Sequence, residues 1–462
     1  MFGRRLAFMR PRTAAQPQPN AIFLKKRWPY RAADLGASSH LGGDPMLPDG
    51  EPWPACPRSG GPEPLHFLAQ IDCGALPDVE GRHLLPGRGL LSFFLLIWDG
   101  LGSDEDRDPI SWAVRHFDRS GGRLARRPPP ADLKSIDERA ERFSHRGLPF
   151  DIPEDSKRFG FVPVSPLPLV TMRDPASESD DPASSPPDLR EHYDLSARAA
   201  LRAALGPEPP TPPLITRDEA WPETVLHARF WIETALPAAK RAAEQAGEFL
   251  AHWDAGKRRD HPFYAKDERW QRESDAEREI VAERWRTGLR DKLMLVETLE
   301  QVSPDLAGLP AGSPVPEAAR RALRAVQPIM TYDPECGEND ARRASLTLLR
   351  RYPADELPLG PASLAWARAT TATSNYSANY LLGCPQEVQS VSPRRAWRRM
   401  EALGWAPRGS SAQDVRLLAQ FDTCYSGAGF LFADCGKAYF YALEQDLAAR
   451  RFDRTVVIVD GG

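Results

Sequence analysis

The sequence FLAQID at residues 67–72 is almost repeated as LLAQFD at residues 417–422, far downstream in the same chain. The two stretches share Leu, Ala, Gln and Asp at the same four places. Side chains of a β-strand point alternately to its two faces, so Gln and Asp, two residues apart, share one face. The repeat therefore predicts two equivalent strands, each with a polar Gln-x-Asp face and an apolar face.

The agreement extends beyond these two strands. GLLSFF at residues 89–94 follows the first copy much as GKAYFY at residues 436–441 follows the second. Upstream, LGGDP at residues 41–45 corresponds to LGCP at residues 382–385. Several weak matches in the same order predict an internal duplication. We expect two similar β-rich halves packed about a pseudo-two-fold axis, each covering the apolar face of the other.

The composition between these copies changes twice, which predicts an α+β fold in which a helical insert interrupts the two halves. We expect a disordered leader at residues 1–20, a first β-rich half at 21–173, a Ser/Pro-rich linker at 174–215, a helical insert at 216–352 and a second β-rich half at 353–462. Within the insert, a helix is predicted from about Ala238 to Trp253, with Pro237 at its first turn. A second helix is predicted after the capping box at residues 274–277. Its apolar stripe consists of Val281, Trp285, Leu289, Leu293, Val296 and Leu299.

Charge and hydropathy argue against two classes of partner. The formal net charge is −4, from 60 basic and 64 acidic residues, so the overall charge does not favour nucleic-acid binding. The longest apolar run, LLSFFLLIW, is far shorter than the roughly 20 residues that a membrane-spanning helix needs. The six cysteines form no Cys-x-x-Cys pair, which favours reduced thiols. We expect a cytoplasmic protein that binds neither nucleic acid nor membrane.

The candidate site consists of Gln70, Asp72, Gln420 and Asp422. If the halves are related by a two-fold axis, the two Gln-x-Asp pairs can converge on one polar cleft that holds a small ligand or a cation. Alternatively, each Gln ties adjacent backbone and each Asp caps the following turn. No catalytic motif and no metal-ligand spacing is recognisable, so we predict no catalytic residue, metal site or cofactor.

The runs GGDPMLPDGEPWPACP, FLAQID, GLLSFF, LLAQFD, GFLFADCGKAYFY and DLAARRFDR together resemble the YwqG-like family, a bacterial domain of unknown function, DUF1963. The resemblance covers about residues 35–120 and 375–460. Members often carry a Cys-x-x-Cys pair after Trp-Pro, but here Cys56 is followed by Ser59 at the second place. The resemblance implies a fold, no established reaction and a genomic setting near toxin genes.

Two functions follow as expectations. The first is a non-enzymatic binding or interaction protein with a protein partner, toxin-neutralising or defence-associated, in which the helical insert presents the binding surface. The second is a small-ligand binder or an enzyme that uses the Gln-x-Asp cleft between the halves.

Overall fold

The computed structural model describes residues 18–58, 61–97, 111–118, 123–136, 157–172, 196, 199–204, 224–254, 275–330, 349, 352–357, 364, 379–388, 392–423, 428–430, 432 and 436–461. The strands are β1 (Ala21–Lys26), β2 (His40–Leu41), β3 (Met46–Pro48), β4 (Ala55–Arg58), β5 (Gly61–Pro64), β6 (His66–Asp72), β7 (Leu90–Leu95), β8 (Trp112–Phe117), β9 (Leu124–Arg126), β10 (Val162–Leu169), β11 (Tyr380–Leu382), β12 (Val415–Asp422), β13 (Lys437–Leu443) and β14 (Val456–Asp460). The helices are α1 (Val225–Asp254), α2 (Asp275–Ala307), α3 (Glu317–Met330), α4 (Ser392–Ala402) and α5 (Glu444–Ala448).

Ten of the strands form one antiparallel sheet in the order β14-β13-β12-β11-β1-β10-β2-β6-β7-β8. The strand lengths are similar from either edge inward. Three strands of five or more residues come first, then one short strand (β11 or β2), and then a central strand (β1 or β10). The strands β6 and β12, which carry the repeated motif, are both third from an edge. The remaining strands form two ribbons, β3–β9 and β4–β5. Together with the helices, this is a mixed helix-and-strand fold built on a large antiparallel sheet.

The two copies of the motif also share their register. Gln70 lies opposite His40 of β2, and Gln420 lies opposite Tyr380 of β11. Each motif strand carries one irregularity in its pairing with the next strand, directly before the shared alanine. Such bulges bend a strand at a defined place. The two halves of the sheet therefore have equivalent strand order and equivalent local geometry.

A close backbone approach explains why a glycine recurs before β7 and β13. A Cβ atom on Gly436 would lie 1.8 Å from the carbonyl oxygen of Asp460, and one on Gly89 would lie 2.5 Å from that of Phe117. Gly89 also has φ +91°, a conformation that residues with a Cβ rarely adopt. Both positions require a residue without a side chain, because the end of the adjacent edge strand lies against them.

The strand β1 connects the halves in a way that the sequence boundaries did not anticipate. It belongs to the predicted first half, yet it pairs with β11 of the second half on one side and with β10 on the other. Ordered contacts begin before residue 21, because the Asn20 side chain accepts a hydrogen bond from the Thr171 amide at 2.7 Å. Most of the predicted leader and linker lies outside the described residues, although residues 199–204 within the linker are helical.

The sheet curves so that the inner faces of its two halves share one core. The ring of Phe93 on β7 lies edge to face with the rings of Phe421 on β12 and Phe440 on β13, at centroid distances of 5.3 and 5.2 Å. The edges also approach each other, since the Trp112 indole on β8 donates a hydrogen bond to the Thr455 carbonyl, directly before β14. Each half thus covers the apolar face of the other.

The first helix of the insert begins earlier than the sequence predicted. Pro237 lies inside α1, which starts at Val225, not at its first turn. A proline inside a helix costs about 3 kcal/mol, since it removes one backbone donor and its ring meets the preceding turn. Burial of the apolar side chains before it, among them Phe230 and Trp231, offsets that cost.

The insert has two differently packed parts. The N-terminal part of α1 and the C-terminal part of α2 join the main core, for example through Trp231 and Leu299. The distal part forms a separate small cluster, in which Phe249 stacks on Trp285 at a centroid distance of 4.6 Å. The first residues of the stripe predicted on α2 pack in this small cluster. Leu293, farther along the stripe, is 52 % exposed, because α2 buries one side in the small cluster and a different side in the main core.

Candidate functional site

Gln70, the first predicted site residue, lies on β6 and is fully buried. Its Oε1 atom accepts a hydrogen bond from the Met46 amide at 2.8 Å, and its Nε2 atom donates one to the Ser38 carbonyl at 3.2 Å. The side chain therefore fastens the Gly-Gly turn that follows β2 to the sheet.

Gln420 does the same in the second half. It is fully buried, and its Oε1 atom accepts hydrogen bonds from the Gln386 amide at 2.9 Å and from the Tyr380 hydroxyl at 3.1 Å. Met46 and Gln386 hold equivalent places, each the sixth residue after its strand residue opposite the motif glutamine. The same side chain thus fastens the same turn in both halves.

The two aspartates end their strands and are half-buried. Asp72 caps the short 3-10 helix Cys73–Ala75, since its Oδ1 atom accepts a hydrogen bond from the Gly74 amide at 3.0 Å. Their backbone amides are also held alike. The Asp72 amide donates to Ser39 Oγ, and the Asp422 amide donates to Asn379 Oδ1, both at 2.9 Å. Ser39 and Asn379 immediately precede β2 and β11, and sequence reasoning missed both.

The structure does not bring the two Gln-x-Asp pairs together. Ile71 and Phe421, next to the two glutamines, point into the shared core, where Phe421 meets Phe93. By strand alternation, Gln70 and Gln420 point away from that core, to the outer side of the curved sheet. The polar cleft predicted between the halves is therefore not formed, because packed aromatic rings fill the space between the two motifs.

A tyrosine-rich cluster that the sequence analysis did not single out covers Gln420. The Tyr439 hydroxyl donates to the Gln386 carbonyl at 2.5 Å, and the Tyr441 hydroxyl hydrogen-bonds Ser392 at the start of α4. Burial raises the pKa of Tyr441 well above its ordinary value, so its hydroxyl stays protonated. Alternating tyrosines in the stretch AYFYA were the signal that one face of β13 is polar.

His40 holds, in the first half, the place that Tyr380 holds in the second. Its ring is fully buried near Phe67 and Phe161, at centroid distances of 5.6 and 5.0 Å, and Nδ1 hydrogen-bonds the Gly42 carbonyl. Burial lowers its pKa to about 3. A ring that is neutral at physiological pH and closed off from solvent is a packing group, not an acid–base catalyst.

The buried thiol of Cys73 is not a reactive one. Cys56, Cys73 and Cys384 form no disulfide, and burial raises the pKa of Cys73 to about 12. A thiol with so high a pKa carries almost no thiolate at neutral pH. Ser59 lies outside the described residues.

Two kinds of feature are absent from the described ranges. There, no three His, Cys, Asp or Glu side chains are grouped so that they can hold a metal ion. No helix in those ranges has both the length and the apolar character to cross a membrane.

Comparison with known families gives a match to the domain of unknown function DUF1963, at residues 39–191 and 314–461. Together these segments make up well over half of the chain. The protein belongs to the DUF1963 family. No curated protein matches its sequence. The two matched segments of this DUF1963 protein contain most of the two halves of the sheet, and the stretch between them contains α1 and α2.

The helix α2 exposes several large apolar side chains. Among the described residues, the three most exposed large apolar side chains all lie on this helix: Ile280 (57 %), Leu293 (52 %) and Met294 (48 %). Exposed apolar side chains that cluster on one element indicate an interaction surface. The feature best suited to contact another molecule therefore lies outside the family-matched segments.

Proposed function

We propose that this DUF1963 protein is a non-enzymatic binding protein that engages a protein partner through the exposed side of α2. The observation that carries the proposal is the concentration of exposed Ile280, Leu293 and Met294 on that helix. Large apolar side chains in water are unfavourable, and a partner surface that covers them gains about 25 cal/mol for each Å² removed from solvent.

The surroundings of these side chains favour a protein as the partner. Arg286 pairs with Glu279 and Glu283 at 2.9 and 3.1 Å, and all three side chains are at least one-third exposed. A surface that combines large apolar side chains with charges of both signs suits a protein partner. A membrane surface or nucleic acid would favour a basic face instead.

The alternative function, a small-ligand binder or enzyme, depends on residues that have structural roles in this fold. A small-ligand or catalytic site between the halves needs Gln70 and Gln420 to face each other with available polar atoms. Both glutamines are buried, point away from the shared core and hydrogen-bond nearby loops. This geometry supports the interaction protein over the ligand binder.

Finer parts of the proposal rest on the resemblance to the YwqG-like family. We place the protein in the cytoplasm of a bacterium, where thiols such as Cys56 and Cys73 stay reduced. We assign the partner to a toxin or defence system, as the genomic setting of the family suggests. We also infer that the halves arose by duplication, which the shared registers of β6 and β12 support.

The test is affinity capture from the native host, read by mass spectrometry, with the wild-type chain and the double variant Ile280→Asp/Met294→Asp. A protein retained by the wild type and lost from the double variant supports the proposal. Leu35→Asp is the matched control, because Leu35 is 44 % exposed on a different element and should leave capture unchanged. Equal capture by all three proteins would remove α2 as the binding surface.

A further inference from the structure

The exposed side of α2 contains a line of residues with the spacing of a helix–helix seam. Its members recur at alternating steps of three and four residues, and we call them the α2 stripe: Ile280, Glu283, Thr287, Arg290 and Met294. Steps of this kind keep side chains on one face of a helix and match the a and d positions of a coiled coil. All five residues are exposed, so the stripe faces solvent along four turns among the described residues.

The charges on this stripe are self-complementary when two copies of the helix run antiparallel. With Thr287 on the two-fold axis, a residue before Thr287 lies at about the level of the residue equally far after it on the other copy, and it pairs with the residue near that level on the same side of the seam. Ile280 then lies opposite Met294 of the second copy, and both apolar ends of the stripe are covered. Glu283, four residues before the axis, lies beside Arg290 of the second copy, three residues after it.

The flank of the stripe repeats this pattern with the signs exchanged. Arg284 lies three residues before the axis and Asp291 four residues after it, so each meets the other across the same dyad. A parallel arrangement gives the opposite result, because Glu283 then meets Glu283 and Arg290 meets Arg290. Like charges directly opposite each other repel, so the sequence of charges selects the antiparallel orientation.

The bonds that these side chains make within one chain do not compete strongly. Arg290 Nη2 lies 3.5 Å from Glu283 Oε1, and the two side chains are 72 % and 59 % exposed. Glu283 Oε2 also pairs with Arg286 Nη1 at 3.1 Å, and the Arg286 side chain is 35 % exposed. Exposed pairs at such a distance contribute little, on the order of 0–1 kcal/mol. The guanidinium can therefore turn to a carboxylate of a second copy at small cost.

We infer that the α2 stripe is the docking site for a second copy of this chain, with the two α2 helices antiparallel about Thr287. The inference rests on the proposed function in that it uses the same helix, and it adds a second copy of the chain as an occupant of that surface. Its apolar contacts are few, so the dimer is a reversible one whose population rises with protein concentration.

The test uses the full chain in sedimentation-velocity experiments over a roughly hundredfold range of concentration. Wild-type protein should shift from monomer to dimer. Glu283→Arg and Arg290→Glu should each raise the dimer dissociation constant at least about tenfold, because each places two like-charge contacts across the dyad. The double variant Glu283→Arg/Arg290→Glu restores opposite charges and should recover the wild-type constant.

Mixing the two single variants gives the sharpest result. In the mixed dimer, the arginine introduced in one chain meets the glutamate introduced in the other, while the remaining Glu283 and Arg290 meet across the dyad. Heterodimers should therefore form where neither variant dimerises alone. Thermal unfolding checks that these exposed substitutions leave the fold intact. Arg408→Glu, at another surface position, is the matched control and should leave the dissociation constant unchanged.

Three outcomes overturn the inference: a wild-type chain that stays monomeric at every concentration, a dimer that both single reversals leave unchanged, or a double variant that does not recover. These outcomes are separable from a failure of the proposed function. A monomeric chain that still captures a different protein through Ile280 and Met294 keeps the proposed function and loses only the second copy as its partner.

Discussion

Phe93 of β7 and Phe440 of β13 hold equivalent positions, each paired with the alanine of a repeated motif, and their rings meet edge to face with centroids 5.2 Å apart. The contact joins the two halves across the shared core. Both rings are fully buried. The pseudo-symmetry of the sheet therefore converges on one aromatic pair.

Removing either ring should destabilise the whole sheet. We expect Phe93→Ala and Phe440→Ala each to lower the free energy of unfolding by about 3–5 kcal/mol, because each leaves a cavity in the core. Denaturant unfolding measures the loss. The double variant should lose less than the sum, by about 0.5–1.5 kcal/mol, since the pair is then broken only once.

A distant aromatic residue provides the control for that cycle. Phe249→Ala, in the separate cluster of the helical insert, should combine additively with Phe93→Ala. If Ala variants do not fold, the Phe→Leu series carries the same comparison. A coupling of zero between Phe93 and Phe440 would mean that the halves are stabilised independently.

Gln70→Ala and Gln420→Ala test the structural role of the motif glutamines. Each should lower the free energy of unfolding by about 1–3 kcal/mol, because a loop amide loses its acceptor. Hydrogen exchange should accelerate selectively at the Met46 amide in the first variant and at the Gln386 amide in the second. Gln413→Ala, at an exposed position, should change neither quantity. Unchanged exchange at Met46 and Gln386 would contradict the fastening role.

Asp72→Ala and Asp422→Ala test the alternative function. We expect a loss of stability on the order of 1–3 kcal/mol and no response to a panel of metabolites and cations, because Asp72 is used as a helix cap. Thermal unfolding with and without the panel measures both effects. A rise in melting temperature with one compound, lost in both variants, would instead revive the ligand-binding function.

Two buried histidines predict a fall in stability as the pH decreases. Burial lowers the pKa of His40 to about 3 and that of His66 to about 4, from an ordinary value of 6.5. The unfolded chain therefore takes up these protons first, and stability that is complete above pH 6.5 is lost as the pH falls toward 4. Each histidine should contribute a slope of about 1.4 kcal/mol per pH unit inside this window.

Urea unfolding at several pH values between about 7 and 4 measures this slope. His40→Phe should reduce it, because the variant has nothing to protonate at that position. His83→Gln is the matched control, since His83 is exposed and its replacement should leave the slope unchanged. A slope that persists in His40→Phe/His66→Phe would assign the effect to other groups.

Much of the fold was predictable because its signals are local. The alternation in FLAQID and LLAQFD identified two equivalent strands, and the ordered matches around them identified two similar halves of an α+β protein. The glycine that begins both GLLSFF and GKAYFY was visible as a repeat. The physical reason for it, the close approach of the Phe117 and Asp460 carbonyl oxygens, was not. Local periodicity depends on near neighbours, which a sequence lists in order.

The sequence by itself determined the repeated strands, the polar Gln-x-Asp faces and the presence of a helical insert. Only the tertiary structure decided that β1 pairs across the halves, that α1 continues through Pro237 and that Gln70 and Gln420 point away from the shared core. The reason is the same in each case. A strand's alternation shows which residues share a face, but which face is covered, and by what, depends on contacts between residues far apart along the chain.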